Sequence, residues 1–246
     1  MKIIKSLVYT LACSSALVAG THWGYTGHEG PQHWGDLSPK FGMCKQGKSQ
    51  SPINISKEVT VATEGLKEIK FNYTTRATEI INNGHTIQIN VKDGSSIEID
   101  GKTFDLKQFH FHTPSENQIE SKNFPLEAHF VHADKDGTLA VVALMYEDGE
   151  DNKVLKKLWS RMPHKAGESN RCIMPAEMFA TMMPKDKAYY RFNGSLTTPP
   201  CSEGVRWMVL KNYSHVSKAQ TEEFLHLFHH ANNRPVQPIN ARKVMK

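Results

Sequence analysis

The sequence of 246 residues lacks the features that mark disordered or repetitive chains. It has no internal repeat, no low-complexity stretch and no linker, and its 22% of charged residues is ordinary for a folded protein. The 39% of hydrophobic residues is enough for one sizeable core. The net charge is +5, but lysine and arginine are spread along the chain. Since nucleic-acid binders cluster these residues beside aromatic ones, we predict no nucleic-acid partner.

No apolar run reaches the roughly 20 residues that a membrane-spanning helix needs. The apolar run over residues 7–19 follows Lys2 and Lys5 and ends in small residues. This order of charge, apolar stretch and small residues is typical of a secretory signal peptide, although a buried N-terminal helix is an alternative. We therefore predict a signal peptide over residues 1–20, a mature domain over residues 21–246, a periplasmic or secreted location and no stable membrane span.

Cysteine is scarce, with four residues in the chain. Removal of the signal peptide takes away Cys13 and leaves Cys44, Cys172 and Cys201. In an oxidising compartment, one disulfide plus one buried thiol is the simplest arrangement, and spacing alone does not choose the pair. Cys13 as the lipidated cysteine of a lipoprotein is an alternative, but Thr10 stands where such a signal has leucine.

Most of the chain reads as β-strand with few helices. Strand-like alternation with β-branched residues, broken by Asn-Gly and Asp-Gly turns, covers residues 78–91, 96–104, 124–132 and 138–146. Helical patterns cover residues 153–161 and 217–230, with Ser217 as the N-cap of the second. The sequence predicts a mainly β single domain with short surface helices.

The chemistry is concentrated in two short segments, residues 108–112 and 127–129. Because alternate residues of a strand share a face, Gln108, His110 and His112 point to one side, and Glu127 and His129 share a side of the next strand. Three neutral imidazoles with a free fourth position are typical of a catalytic zinc site. Each polar residue stands two places before a histidine and can accept that ring's second N–H.

A cupin is the competing interpretation of the same histidines. The pattern His110-x-His112 followed by Glu116 resembles the first metal motif of that family, in which the glutamate is a fourth ligand. The glycines that this motif expects are Phe104 and Asn123 here, and a proline follows the histidines. These departures argue against a cupin.

Eight short motifs decide between these interpretations. They are Trp23-Gly24-Tyr25, Gly30-Pro31-Gln32-His33-Trp34, Gln50-Ser51-Pro52-Ile53-Asn54, Asn82-Asn83-Gly84-His85, Gln108-Phe109-His110-Phe111-His112 with Ser115-Glu116-Asn117, Glu127-Ala128-His129-Phe130-Val131-His132, Ser195-Leu196-Thr197-Thr198-Pro199-Pro200-Cys201 and Asn233-Arg234-Pro235-Val236-Gln237-Pro238. In content and order they resemble the α-class carbonic anhydrases of the bacterial, exported type, and the resemblance covers nearly all of residues 21–246.

The resemblance implies reversible hydration of CO₂ to bicarbonate and a proton, by attack of a zinc-bound hydroxide and proton transfer through a histidine. His110, His112 and His129 correspond to the Zn²⁺ ligands. The other correspondences are Gln108 and Glu127 as partners of the ligands, Glu116 and Thr197 as the pair that orients the nucleophile, His85 as the proton shuttle, Val131, Val141, Leu196, Trp207, Thr197 and Thr198 as the substrate pocket, and Tyr25, Asn83 and Gln88 as the residues that order water.

The resemblance carries further expectations about the molecule. It implies a large, mostly antiparallel twisted central sheet of about ten strands. It also implies a disulfide between Cys44 and Cys201 that leaves Cys172 free, and cis peptide bonds before Pro52 and Pro200. Sulfonamides and anions are the expected inhibitors, and a homodimer is left open.

Two departures from the family pattern and two alternatives remain. Thr86 and Gln88 replace the small residue and asparagine usual beside the shuttle, which lowers the expected turnover. The chain lacks an aromatic residue near 233–235, a region that we take as peripheral to the metal. A carbonic-anhydrase-like binding module is the main rival, but such modules have lost ligating histidines. For His85, the alternative is a surface histidine in an Asn-Gly turn.

Overall fold

The computed structural model of the protein describes residues 21–246. The predicted signal peptide and Cys13 lie outside these residues. The strands are β1 (Asn54–Ile55), β2 (Thr60–Val61), β3 (Lys70–Asn72), β4 (Ala77–Asn82), β5 (Ile87–Val91), β6 (Ser96–Ile99), β7 (Lys102–His112), β8 (Gln118–Ile119), β9 (Leu126–Ala133), β10 (Leu139–Asp148), β11 (Ser169–Met174), β12 (Tyr189–Ser195), β13 (Glu203–Leu210), β14 (Ser214–Val216) and β15 (Val244–Met245). The helices are α1 (Trp34–Leu37), α2 (Met43–Gln46), α3 (Lys153–Trp159), α4 (Ala176–Ala180) and α5 (Lys218–Phe228).

One large sheet of thirteen strands dominates the part of the chain that the structure describes. Ten strands follow the order β11-β4-β5-β7-β9-β10-β13-β12-β15-β2, β6 and β3 extend from β7, and β14 lies beside β10. Nine strand pairs are antiparallel and three are parallel. The predicted mainly β fold on a large sheet is therefore confirmed. The sheet is mixed, and short flanking strands raise the count above the predicted ten.

The sheet separates two hydrophobic clusters. Along β10, alternate residues enter different clusters, as the two-residue period of a strand requires: Ala140, Val142, Leu144 and Tyr146 on one side, and Val141, Ala143 and Met145 on the other. The larger cluster also holds the buried faces of α3, α4 and α5, while the smaller one holds Trp207 and Val209 of β13. We call these sides the helix face and the open face.

Strand β7 changes its alternation part-way along. Phe104 and Leu106 pack in the helix-face cluster at even positions, and Phe109 and Phe111 pack there at odd positions. A register shift against β9 leaves Lys107 without a partner, so one extra residue stands in β7. This β-bulge reverses which residues face the core. The even-numbered residues after it, which include two of the candidate ligands, therefore point to the open face.

The two predicted helices are present, and each begins at a capping side chain, of which only Ser217 was predicted. The Asn152 side chain accepts hydrogen bonds from two N–H groups at the start of α3. Ser217 caps α5 and forms a capping box with Gln220, as its sequence position predicts. After α5 the chain returns to the sheet, where the Asn232 N–H donates to the Thr113 carbonyl at 3.2 Å. This return brings Asn232 into contact with the end of β7, which carries two of the candidate ligands.

The predicted disulfide is confirmed. Cys44 and Cys201 are bonded with Cα atoms 5.0 Å apart, and Cys172 is a buried free thiol. The peptide bonds before Pro52 and Pro200 are cis as expected, and the bond before Pro114 is also cis, which the sequence did not indicate. No helix within residues 21–246 is both long and apolar enough to cross a membrane.

Candidate metal centre

Three imidazoles converge on the open face of the sheet. The register of β7 against β9 places His110 directly opposite His129, and His112 follows two residues later on the same side. The ring centroids lie 5.1 Å (His110 to His112), 5.4 Å (His110 to His129) and 4.6 Å (His112 to His129) apart. One nitrogen from each ring lies within 4.8 Å of the other two, so this group could hold a metal ion.

The polar neighbours predicted from spacing contact the rings. Gln108 Oε1 lies 2.8 Å from His110 Nδ1, and Glu127 Oε1 lies 2.9 Å from His129 Nε2. Each contact engages one ring nitrogen and leaves the other for a metal. Gln108 and Glu127 thus contact the histidines that follow them by two residues, and their role as partners of metal ligands stays a prediction.

The third histidine has a partner that the sequence did not indicate. His112 Nδ1 donates to the backbone carbonyl of Asn232 at 2.7 Å, while its buried Nε2 has no hydrogen-bond partner among residues 21–246. Our expectation that residues 233–235 are peripheral to the metal is wrong. Asn232 touches a candidate ligand, and the Arg234 N–H donates to Glu116 at 2.8 Å.

The three rings have the protonation state that a metal site needs. Burial lowers the pKa of His110 and of His129 well below the ordinary value, and the neighbouring imidazoles lower both further. Burial also lowers the pKa of His112. All three are neutral at pH 7 and can donate a lone pair. Together with the unpaired Nε2 of His112, this donor set fits a divalent cation.

The Glu127 carboxylate is itself held rigidly. Its Oε2 accepts the backbone N–H groups of Glu116 at 2.7 Å and Asn117 at 3.0 Å, and its Oε1 accepts the Asn117 side-chain amide at 2.8 Å. Burial raises the pKa of Glu127, and these hydrogen bonds act in the opposite direction. A carboxylate held at both oxygens fixes the orientation of the His129 ring.

Glu116 lies behind the histidines. Its Oε2 lies 3.4 Å from His112 Nε2 and 3.9 Å from His129 Nδ1, and it accepts no hydrogen bond from the described residues. Burial raises the pKa of Glu116 well above its ordinary value, while the Arg234 N–H and the Thr197 side chain lower it. The unpaired Oε2 of Glu116 is therefore suited to accept one hydrogen bond from a nearby hydroxyl or N–H group.

The loop between β12 and β13 carries Thr197 and Thr198. It is closed by hydrogen bonds from the Cys201 N–H to the Thr198 carbonyl at 2.8 Å and from the Leu196 N–H to Ser202 at 2.9 Å. The disulfide ties the same loop to α2. Thr197 is buried and Thr198 is half-buried. The fold therefore holds this loop firmly beside Glu116.

Apolar side chains form a wall beside the histidines. The four predicted ones belong to, or pack against, the open-face cluster: Val131, Val141, Leu196 and Trp207. The Trp207 ring meets the His129 ring edge-on at 4.9 Å, and its Nε1 donates to the Ser195 carbonyl at 3.0 Å. These contacts place the apolar wall next to the candidate metal position.

The three residues expected to order water differ in whether their side chains already make hydrogen bonds within the protein. Gln88 stands opposite His110 in the sheet, and its amide donates to Asn90 at 2.8 Å. The exposed Asn83 uses its side-chain oxygen inside its own turn, where it accepts the His85 N–H at 3.0 Å. Burial, and then the Glu116 carboxylate, raise the pKa of Tyr25.

His85 stands at the rim of the site. It is half-buried, and its ring stacks on Trp23 with centroids 3.7 Å apart and planes inclined by 8°. Burial, followed by electrostatic interaction with His22 and His230, lowers its pKa to about 4. The stacking partner was not predicted, because nothing in the pattern around Trp23 points to a residue sixty positions away.

Comparison with known proteins assigns the family. The sequence profile described as eukaryotic-type carbonic anhydrase matches residues 29–246. The chain belongs to this family. A carbonic anhydrase of Neisseria gonorrhoeae is 48% identical over 244 residues, which cover 97% of this chain and 95% of that one. A carbonic anhydrase of Pectobacterium carotovorum is 45% identical over 244 residues, covering 99% and 98%. The protein is therefore an enzyme, a carbonic anhydrase, which implies CO₂ hydration.

Solved structures agree with this carbonic anhydrase assignment. The α-carbonic anhydrase of Thermovibrio ammonificans in complex with sulfanilamide superimposes with a TM-score of 0.88 at 47% identity, covering 92% of this chain and all of that one. Dioscorin in complex with ascorbate also superimposes, with a TM-score of 0.84 at 29% identity, covering 91% of this chain and 97% of that one. Because the fold also occurs with that other ligand, the site residues must carry the mechanistic argument.

Proposed function

We propose that this carbonic anhydrase is a zinc enzyme whose ligands are His110, His112 and His129. The observation that carries the proposal is the convergence of three neutral imidazoles whose other ring nitrogens lie 2.7–2.9 Å from an oxygen of Gln108, Asn232 or Glu127. When bound, zinc lowers the pKa of a coordinated water from 15.7 to about 7 in carbonic anhydrases, which supplies a nucleophile at neutral pH. Stopped-flow CO₂ hydration by the purified protein, before and after chelation, tests the proposal.

Thr197 and Glu116 would orient this nucleophile. Beside a divalent cation the buried Glu116 carboxylate would be ionised, and its free oxygen would accept a hydrogen bond from the Thr197 hydroxyl. The Thr197 oxygen is then left to act only as an acceptor toward the nucleophile. One lone pair is thereby aimed at the substrate carbon, which is an orientation effect. The Arg234 N–H holds the other carboxylate oxygen in place.

The apolar wall would receive the substrate. CO₂ is uncharged, so it gains from contact with Val131, Val141, Leu196 and Trp207, whereas bicarbonate is an anion and leaves such a wall readily. The half-buried Thr198 adds a polar group at the edge of this pocket. The wall therefore favours substrate entry and product release.

His85 would carry the proton to solvent. Its turn is linked through Asn232 to His112, and its ring is neutral at pH 7 and can accept a proton. The lowered pKa of about 4 makes it a weaker base than an ordinary imidazole, which agrees with the lower turnover expected from Thr86 and Gln88. Tyr25, Asn83 and Gln88 would order the waters between His85 and the metal position. The role of these three residues follows the family resemblance.

Replacing His85 by alanine is expected to lower kcat for CO₂ hydration while kcat/KM stays nearly unchanged. Proton export follows the CO₂ step, so only the maximal rate depends on it. We expect a fall of about tenfold, smaller than the 10²-fold typical of a direct general base, because buffer shares the task. Stopped-flow rates in dilute buffer measure it.

Imidazole buffers provide the control for this variant. Small imidazoles are free general bases, so raising their concentration should restore much of the lost kcat. A parallel fall of kcat and kcat/KM without rescue by buffer would show that His85 has a structural role.

The pH profile of kcat gives an independent check on His85. A shuttle must be unprotonated to accept a proton during hydration, and the pKa of His85 is lowered to about 4. The His85 contribution to kcat should therefore persist as pH falls through 6.5 and be lost only near pH 4. Subtracting the profile of the His85→Ala variant isolates it. A contribution that disappears near pH 6.5 would contradict this environment of the ring.

Other expectations accompany the proposed function. The sulfanilamide complex of the Thermovibrio ammonificans enzyme supports sulfonamide binding at this site, and anions should bind there too. The disulfide is compatible with export, and we retain the periplasmic or secreted location as a proposal. The homodimer stays a prediction.

A further inference from the structure

We propose that the side chain of Asn232 is a positioning residue that ties the turn carrying His85 to the end of the strand carrying the metal ligand His112. The inference rests on the proposed shuttle role of His85. It adds a second residue that acts on proton transfer without touching the substrate.

The Asn232 carboxamide is fully buried, and both of its N–H groups and its oxygen are hydrogen-bonded. Its Oδ1 accepts the Thr113 N–H at 2.7 Å, and its Nδ2 donates to two carbonyls, those of His85 and Phe111, each at 3.0 Å. A buried amide with these three bonds has one fixed orientation, and each bond that it loses leaves a buried partner unsatisfied.

The backbone of the same residue contacts the same strand end. Its carbonyl accepts from His112 Nδ1 at 2.7 Å, and its N–H donates to the Thr113 carbonyl at 3.2 Å. Asn232 thus bonds to three consecutive residues of the ligand strand and to the shuttle turn. The metal ligand depends on the backbone carbonyl, whereas the shuttle turn depends on the side chain. Substitutions of the Asn232 side chain can therefore change the shuttle turn without removing the backbone carbonyl that holds His112.

The other side-chain ties between the turn and β7 at this point come from Thr86. Asn83 and Asn82 accept N–H groups from within the turn, so they shape it without attaching it to the neighbouring strand. Thr86, the residue after His85, makes two bonds to β7, since its Oγ1 donates to the Phe111 carbonyl and accepts the Phe111 N–H at 3.3 Å. The Asn232 amide is the group that holds the carbonyl of His85 itself, while Trp23 holds its ring from the other side.

Losing the amide donor should therefore change the position of His85 relative to the metal centre. Proton transfer through bridging water depends on that spacing, because each donor and acceptor must stay within hydrogen-bond reach. The CO₂ step does not use His85, so kcat/KM should be spared. A residue with a purely structural role would lower stability without this division between the two constants.

The experiment compares two substitutions of Asn232 in the full-length enzyme. Asn232→Asp keeps the acceptor for the Thr113 N–H and loses the amide donors, and Asn232→Leu has a similar shape but loses both functions without adding charge. Asn152→Asp is the matched control, since its amide also donates to a backbone carbonyl, that of His215 at 3.1 Å, far along the chain from the site.

Four quantities are measured for each variant: kcat and kcat/KM for CO₂ hydration, zinc content, and the titration of the His85 ring by NMR, assigned with His85→Ala. We expect kcat to fall roughly three- to tenfold in both Asn232 variants, the typical worth of one hydrogen bond, with rescue by imidazole buffer. Zinc content and kcat/KM should stay close to those of the parent. The His85 ring, less buried once its carbonyl is released, should titrate at a higher pH, and Asn152→Asp should behave as the parent.

The results separate this inference from the proposed function. If His85→Ala lowers kcat but neither folded Asn232 variant does, the positioning role is wrong and the shuttle stands. If Asn232→Leu alone lowers kcat, the Thr113 bond carries the effect and the inference also fails. A loss of zinc and of kcat/KM together would place the effect on the metal ligand and overturn it. If Asn232→Leu does not fold, Asn232→Asp decides by its kcat and buffer rescue.

Discussion

Replacing His129 by alanine is expected to abolish zinc binding and to lower kcat/KM for CO₂ hydration by about 10³-fold or more. Loss of an outer partner of a metal ligand typically costs about 10–100-fold, and loss of the ligand itself removes one of only three donors. His129 Nε2 lies 2.9 Å from Glu127 Oε1, and three hydrogen bonds hold that carboxylate in place. Zinc content and stopped-flow hydration rates measure the effect.

The control for this substitution is His164→Ala, which makes the same chemical change at an exposed histidine. It should retain the zinc content and rate of the parent. Chelation of the parent should reproduce the loss, and added zinc should restore the parent but not the His129 variant. A His129 variant that keeps stoichiometric zinc and full activity would refute the proposed ligand set.

Replacing Thr197 by alanine is expected to lower turnover by roughly 10²-fold, the scale of one well-placed orienting hydrogen bond. Its hydroxyl is the proposed link between Glu116 and the nucleophile. The buried carboxylate has one free oxygen, and the disulfide-linked loop presents Thr197 beside it. Without the hydroxyl, the nucleophile keeps its charge but loses its fixed direction. Stopped-flow hydration at saturating CO₂ measures the effect.

Two further variants isolate the hydroxyl. Thr197→Ser keeps it and should be much milder, while Thr198→Ala removes a hydroxyl from the next residue of the same loop. Equal losses in Thr197→Ala and Thr197→Ser would mean that the methyl group or the backbone matters, and that the hydroxyl account is wrong.

The alternation of residues made the centre of the site predictable. A strand allows only two faces, so His110 and His112 had to point together, and the apolar residues between them had to face the core. The strands that carry them, the helix that begins after Ser217 and the confirmed disulfide follow from local signals or from the family resemblance. The Thr197 loop followed from the resemblance alone, because a Thr-Thr-Pro-Pro segment carries no chemical signature of its own.

The remaining features could not be predicted because they depend on long-range contacts without a residue pattern. Asn232 supports His112 through a backbone carbonyl 120 residues away, and any residue type has such a carbonyl. The stacking of His85 on Trp23 and its lowered pKa depend on how an N-terminal loop covers the turn. The bulge in β7 is likewise invisible in composition, since Lys107 is ordinary for an exposed strand position.

Because of that bulge, the number of residues in β7 decides which side chains face the core. Before Lys107 the even-numbered residues face the core, and after it the odd-numbered residues do. The unpaired residue therefore shifts the alternation by one position and places the histidines on the open face. An evolving or engineered chain can gain or lose residues in pairs here and keep the histidines outside the core. A single insertion or deletion instead exchanges imidazoles for phenylalanines across the sheet. The catalytic site is thus encoded by a count of residues as much as by their identities.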